Sequence, residues 1–261
     1  MDFIENNRNG LVYMTSPNIG TMHAFTTRYG GVSKGIYESL NLGRNVGDND
    51  EDLRENYNIL SREIGTNKFV FSRQVHGRDV QRVSSADCLD IKDTVPYNAD
   101  SLVTDETDIA LFVFNADCVP ILLHDPVKSV IGAVHAGWRG TSDDICGATI
   151  EKMQTEFGCD PADVRAAIGP CIDKCCFETD EDVAIAMRDQ LGHDAEEFLT
   201  PCGKKYMVDL KGLNYTLLKR AGVKDTIVSD ECTKCSCDKY WSHRATNGKR
   251  GSQAAVIMLR G

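Results

Sequence analysis

No stretch of this 261-residue chain approaches the about 18 consecutive apolar residues that a membrane-spanning helix needs. The longest apolar runs, such as residues 109–114, are strand-sized. Residues 1–20 carry acidic and polar groups without an apolar core and read as no secretory signal. Basic residues are outnumbered, 29 Lys and Arg against 39 Asp and Glu, for a net charge of -10. Such a surface repels phosphate-rich polymers and anionic bilayers, so neither nucleic acid nor membrane is an expected partner. A small anionic substrate is still allowed, because it needs only a local basic site. Internal repeats, low-complexity tracts and Pro/Gly/Ser linkers are also missing. Residues 1–261 are therefore expected to fold as one domain around a sizeable core, as a monomer or weak homodimer. The eleven cysteines are odd in number and irregularly spaced, which is no disulfide framework. Most should be thiols in a reducing cytoplasm, with some free to bind metal or act as nucleophiles.

Strand signals dominate the middle of the chain. Residues 68–75, 79–83, 101–104, 109–114, 119–123 and 129–134 are short, rich in Val, Ile, Leu and Phe, and bounded by turn residues. Several are apolar at consecutive positions, which predicts strands covered on both faces. Helices are predicted over 141–157, with Thr141 and Ser142 as candidate caps, and over 179–191 and 209–221. Each has an acidic or capping start and a glycine at or just past its end. A final apolar strand spans 254–259. Strands and helices do not alternate regularly, so the expected fold class is mixed α/β (α+β), a sandwich of mixed β-sheets flanked by helices.

Three segments carry the chemistry: Arg73-Gln74-Val75-His76-Gly77, Asn115-Ala116-Asp117-Cys118-Val119-Pro120 and Val134-His135-Ala136-Gly137-Trp138-Arg139-Gly140. Each sets a metal-ligating side chain at a strand end beside a small or turn-forming residue, where a rigid scaffold displays reactive groups. Two imidazoles and a thiolate, His76, Cys118 and His135, suit one zinc ion that keeps a fourth position open. The spacing alone is weak evidence, since no compact ligand pair fixes the three locally. Two further features stand apart. Cys232-x-x-Cys235-x-Cys237 with His243 has the composition of a second metal site, although unligated thiols are the preferred reading. Cys171, Cys175 and Cys176 read as thiols without a role.

These segments, with Thr26-Thr27-Arg28-Tyr29-Gly30-Gly31-Val32-Ser33, Ser39-Leu40-Asn41-Leu42-Gly43, Ile168-Gly169-Pro170 and Trp241-Ser242-His243-Arg244, resemble the YfiH-like family. That family is described both as laccase-domain polyphenol oxidoreductases and as purine nucleoside phosphorylases. The resemblance runs from about Thr26 to the C-terminal strand. It implies that His76, Cys118 and His135 form the metal-binding catalytic triad. It also implies phosphorolysis of adenosine or inosine, and of methylthioadenosine as a further candidate, to base and ribose 1-phosphate, with adenosine deamination as a companion activity.

For phosphate, Arg28, Arg44 and Arg139 are the candidates, because guanidinium forks match its oxygens. Asn41 and Gln74 are candidates for hydrogen bonds to ribose or base. Each of these five is more often a turn or surface group. Many family members carry Arg after the Glu-Asn near residue 56. Tyr57 stands there in this chain, so any contact from that segment falls to Arg54 or is lost. His124 reads as structural, and the basic, Gly-rich loop 244–253 as an anion-binding lid or, preferred, a flexible hairpin.

Some family members are associated with copper and phenol oxidation. Six scattered histidines do not supply a type 1 copper and a trinuclear cluster together, and the thiolate suits zinc or Cu(I) better. Two further alternatives stay open. One is a metal-free hydrolase with Cys118 as nucleophile and His135 or His76 as its base. The other is a non-enzymatic binding or redox-sensing protein.

Overall fold

The computed structural model describes residues 2–261. Two six-stranded sheets stack face to face. The first runs, in spatial order, Ile4–Arg8, Leu11–Thr15, Met22–Thr26, Gln253–Met258, Ala110–Asn115 and Phe69–Val70. All neighbours in it are antiparallel except the last pair. The second runs Asp225–Val228, Arg165–Ile168, Val119–Asp125, Val130–Ala136, Ser101–Thr104 and Val80–Arg82, with parallel pairs at its two edges. A small third sheet joins Glu178–Thr179, Lys205–Val208 and Leu199–Cys202.

The consecutive apolar residues of the central strands are explained by layering. In Ala110–Asn115, Leu111 and Val113 enter the core between the two sheets, while Ala110 and Phe112 enter the core on the first sheet's outer face. In Val119–Asp125, Leu122 points between the sheets, and Val119, Ile121 and Leu123 point outward under helices. Successive side chains alternate faces, so a strand buried on both must be apolar throughout.

The outer layers are helical. Asp50–Ile64 covers the first sheet with Leu53, Tyr57, Leu60 and Ile64, which lie three or four residues apart on one face. Asn49 caps its start by accepting from the backbone N–H groups of Glu51 and Asp52, and Gly65 at φ +86° ends it. Ile145–Phe157 covers the second sheet, Leu210–Arg220 packs beside it, and Glu181–Leu191 packs against Trp138–Ser142 and the small third sheet within the same core. The helix predicted over 141–157 is in fact two, Trp138–Ser142 and Ile145–Phe157. Asp144, left-handed at φ +57°, interrupts it and caps the second helix through Gly147 N–H, displacing Thr141 and Ser142 from that role. The strand predicted over 68–75 keeps only Phe69–Val70 in the sheet, because the chain then turns toward Asn98. Among the described residues no helix is long and apolar enough to cross a membrane.

Candidate metal centre and its cavity

The pairing of Val119–Asp125 with Val130–Ala136 sets Pro120 opposite His135 and Val119 opposite Ala136. Cys118, just before the first strand, is thereby brought beside His135 at the end of the second. His76 arrives from the turn after residues 73–75, and its ring meets that of His135 edge-on with centroids 5.0 Å apart. One ligand atom from each of His76, Cys118 and His135 lies within 4.8 Å of the others.

Asp100 organises this arrangement. Its fully buried carboxylate accepts hydrogen bonds from the backbone N–H groups of Val75 (3.0 Å), His76 (3.0 Å) and Gly77 (2.8 Å), and from His135 Nδ1 (2.8 Å). Three successive backbone donors around one carboxylate hold His76 in the left-handed region, φ +62°, where a non-glycine residue is uncommon. With Nδ1 committed to Asp100, His135 has Nε2 for a metal, the arrangement by which an outer carboxylate orients a ligating imidazole. The backbone at Gly137 must also lack a side chain: a Cβ there would lie 2.8 Å from His76 Cδ2 and 3.4 Å from Cys118 Sγ.

The electrostatics couple the three groups, lowering the thiol and raising one imidazole. Burial would raise the Cys118 thiol, but the charge of His135 and hydrogen bonds with His135 and His76 outweigh it and hold the group below its ordinary value. Burial likewise opposes charge on His135, and the Cys118 charge with the Asp100 hydrogen bond outweighs it, raising the imidazole. Burial works to raise Asp100, while His135 and the turn's N–H groups prevail and lower it. A thiol and two imidazoles, one of them oriented by a carboxylate, are a set of groups that could hold one metal ion.

The triad opens onto a cavity of about 590 Å³, within the usual range for a small-molecule site. Arg44 and Gln74 line it. Arg44 already donates to the carbonyls of Ile91 (2.8 Å) and Asp93 (2.5 Å), and stacks on Phe71. The amide of Gln74 is used at both ends on the backbone of Phe114, at 2.8 Å each way. The other three candidates lie outside the cavity lining. Arg28 stacks on Trp241 and donates to the carbonyls of Glu38 and Cys237. Asn41 is fully buried and holds Asp48, Gly43 and Ser252. Arg139 stacks on Trp138 beside a separate groove. Arg28 and Asn41 thus have their side-chain groups engaged within the fold, and exposed Arg139 faces the separate groove rather than this cavity.

Arg54, proposed as a substitute contact, is paired with Asp90, and His124 accepts from Gly20 N–H; neither lines the cavity.

Sequence reasoning missed two residues. Asp100 gave no signal, because its partners are 23 to 35 residues away. Arg250 lines the cavity from the loop preferred as a flexible hairpin. Its Nη1 donates to the Gly251 carbonyl and Ser252 Oγ, but its Nε is buried without a partner. Burial pushes this guanidinium down from its ordinary value against the opposing pull of Asp117 and Cys118. An anion in the cavity beside Arg250 would favour its charged form.

The chain, which brings His76 from a turn to Cys118 and His135 at neighbouring strand ends, belongs to the family described as "Multi-copper polyphenol oxidoreductase laccase", whose model matches residues 22–260. Its relatives are nonetheless enzymes of nucleoside metabolism by name. The chain is 36% identical over 253 residues to "Purine nucleoside phosphorylase YlmD" of Geobacillus stearothermophilus, covering 94% of this chain and 92% of that protein. It is 38% identical over 253 residues to the "Purine nucleoside phosphorylase" of Deinococcus radiodurans, covering 96% and 94%. The crystal structure of YlmD from Geobacillus stearothermophilus superposes with a TM-score of 0.94 at 34% identity over the whole of both chains. That of the Bacillus licheniformis hypothetical protein YfiH gives 0.92 at 32% identity over 99% of each.

Two substitutions probe the site. Asp100→Asn retains an acceptor but loses the charge that orients His135, and metal affinity is expected to fall about 10-fold, measured by competition with a chromophoric chelator. Gly137→Ala is expected to displace His76 and weaken metal binding while the circular dichroism spectrum stays unchanged. Unaltered affinity in the alanine variant would count against His76 as a ligand.

Proposed function

We propose that this protein is a zinc-dependent purine nucleoside phosphorylase that also deaminates adenosine at the same site. The observation carrying the reading is one cavity whose lining includes both the His76–Cys118–His135 triad and the cationic side chain of Arg250. The names of the relatives point the same way.

In phosphorolysis, phosphate accepts from Arg250 and adds one oxygen to C1′ of the nucleoside as the bond from C1′ to N9 breaks. The purine leaves with a proton, giving free base and ribose 1-phosphate. Phe114, half-buried at the cavity wall, offers an apolar surface for the base. In deamination, the elements of water add at C6 and ammonia departs, giving inosine. His76, Cys118 and His135 would hold the ion, which supplies Lewis acidity at neutral pH. Asp100 keeps the turn at His76 and the ring of His135 in register for it. A reducing cytoplasm suits a protein whose eleven cysteines are all free thiols.

The family's descriptive title suggests copper, and a His2Cys set can also form a trigonal copper site. A multicopper relay needs more imidazoles than this chain brings to one place. His23 bonds Ser16 N–H and the Thr21 carbonyl, and His124 bonds Gly20, both away from the cavity.

The test is a product assay on adenosine and inosine with metal-analysed protein, with and without phosphate. Adenine or hypoxanthine together with ribose 1-phosphate is expected only when phosphate is present, and inosine from adenosine in either case. Unchanged nucleosides under all conditions would overturn the reading.

A further inference from the structure

A second group of four sulfurs lies apart from the cavity. Cys175, Cys176, Cys232 and Cys235 each offer a sulfur within 4.8 Å of the other three. Cys175 Sγ is 3.7 Å from Cys176 Sγ and 3.5 Å from Cys235 Sγ, and Cys176 Sγ is 3.5 Å from Cys235 Sγ. A tetrahedron of thiolates about 2.3 Å from a central zinc has edges of about 3.8 Å. A disulfide would bring a pair to about 2.05 Å. The four thiols therefore surround a space of the size one tetrahedral ion fills. The composition noticed in the sequence was only half right. Cys232 and Cys235 belong to the group, but their partners come from the loop at 173–177, while Cys237 and His243 stand outside it.

The surroundings suit thiolate ligands. Cys232 Sγ accepts from Asp173 N–H at 3.4 Å. The ammonium of Lys211, its side chain 5% exposed, donates to Asp173 Oδ2 (3.0 Å) and to the carbonyl of Glu231 (2.9 Å). Asp173 lies two residues before Cys175, and Glu231 directly before Cys232. A buried cation thus sits against both cysteine-bearing loops, where it offsets the excess negative charge of a four-thiolate zinc site.

The two loops meet at Asp117, next to Cys118. Asp117 accepts from Thr233 Oγ1 (2.7 Å) and Arg244 N–H (2.7 Å), and its carbonyl accepts from Ile172 N–H (2.9 Å). Thr233 N–H in turn donates to the Cys171 carbonyl at 2.9 Å.

We propose that Cys175, Cys176, Cys232 and Cys235 bind one structural zinc ion that clamps the 171–177 and 231–237 loops together behind the turn carrying Cys118. Four protein ligands close the coordination shell, so this ion has no open position and no part in turnover.

The test counts and types the metal. Protein expressed with zinc and purified under reducing conditions is analysed as wild type, Cys118→Ala, Cys235→Ser and Cys237→Ser. The site requires zinc retained in Cys118→Ala with an X-ray absorption signature of four sulfurs at about 2.3 Å. It also requires one equivalent fewer in Cys235→Ser than in wild type, and no loss in Cys237→Ser. Because Cys118→Ala leaves all four cysteines in place, a folding failure of Cys235→Ser does not spare the idea. Cys118→Ala protein without zinc, or with zinc on nitrogen and oxygen ligands, overturns it. So does a mass shift showing any of the four joined in a disulfide. Wild type with a single equivalent that survives Cys118→Ala would uphold this site while removing the metal from the proposed catalytic one, so the two proposals fail separately.

Discussion

Cys118→Ala, and separately His135→Ala, are expected to lose nucleoside turnover by about 10³-fold or more. A Lewis acid contributes several kcal/mol to such a barrier, and each 1.4 kcal/mol is a factor of ten. Neither change should unfold the protein. Cys118 precedes its strand rather than filling the core, and the strands Val119–Asp125 and Val130–Ala136 are buried on both faces by residues that neither mutation touches. The measurement is product formation alongside thermal melting and metal content. Turnover near wild type in either folded variant would remove the triad from the mechanism. A metal-free thiol hydrolase would also lose activity in Cys118→Ala, because His135 beside Cys118 lowers the thiol, as a nucleophile and its base require. Chelation separates the two: activity that stops on zinc removal and returns on zinc addition belongs to a metalloenzyme, whereas a hydrolase would be unaffected or activated.

Arg250→Met separates the two proposed reactions. Methionine keeps much of the aliphatic stem's packing and removes the charge. A hydrogen bond to a charged group contributes roughly 1.5–3 kcal/mol, which corresponds to about 10- to 100-fold in kcat/KM. That loss is expected in phosphorolysis, read as a raised KM for phosphate, while deamination of adenosine, which uses no phosphate, changes little. Equal loss of both activities would instead indicate that Arg250 shapes the triad. An unaltered phosphate dependence would return the search to Arg73 and Lys92, which line the same cavity.

The features most legible in the sequence were those written locally. Continuous apolar runs announced two-sided burial, and the helices Glu181–Leu191 and Leu210–Arg220 announced themselves by acidic or capping starts and by glycine at or near their ends. The edge strand Ile4–Arg8 was silent because it is mostly exposed and its polar residues show no apolar alternation. The split at Asp144 was hidden because a left-handed aspartate inside an otherwise helical pattern has no periodic signature. At the site, the residues at strand ends were readable through their motifs. What pairs across the fold was not. Nothing near Gln74 in the sequence showed that both ends of its amide bond the backbone of Phe114, and the 60-residue separation of Cys175 from Cys235 concealed their convergence. Polar side chains in a sequence declare their chemistry but not whether another part of the chain has already used it.

The carboxylate of Asp100 reaches three backbone amides and one imidazole at once. The ordering that many metal sites impose at the moment of capture is thus completed during folding, by contacts that need no ion. Metal entry then resembles filling a rigid socket more than closing a flexible one: little entropy is lost, and the polypeptide around the empty and loaded centre should look the same.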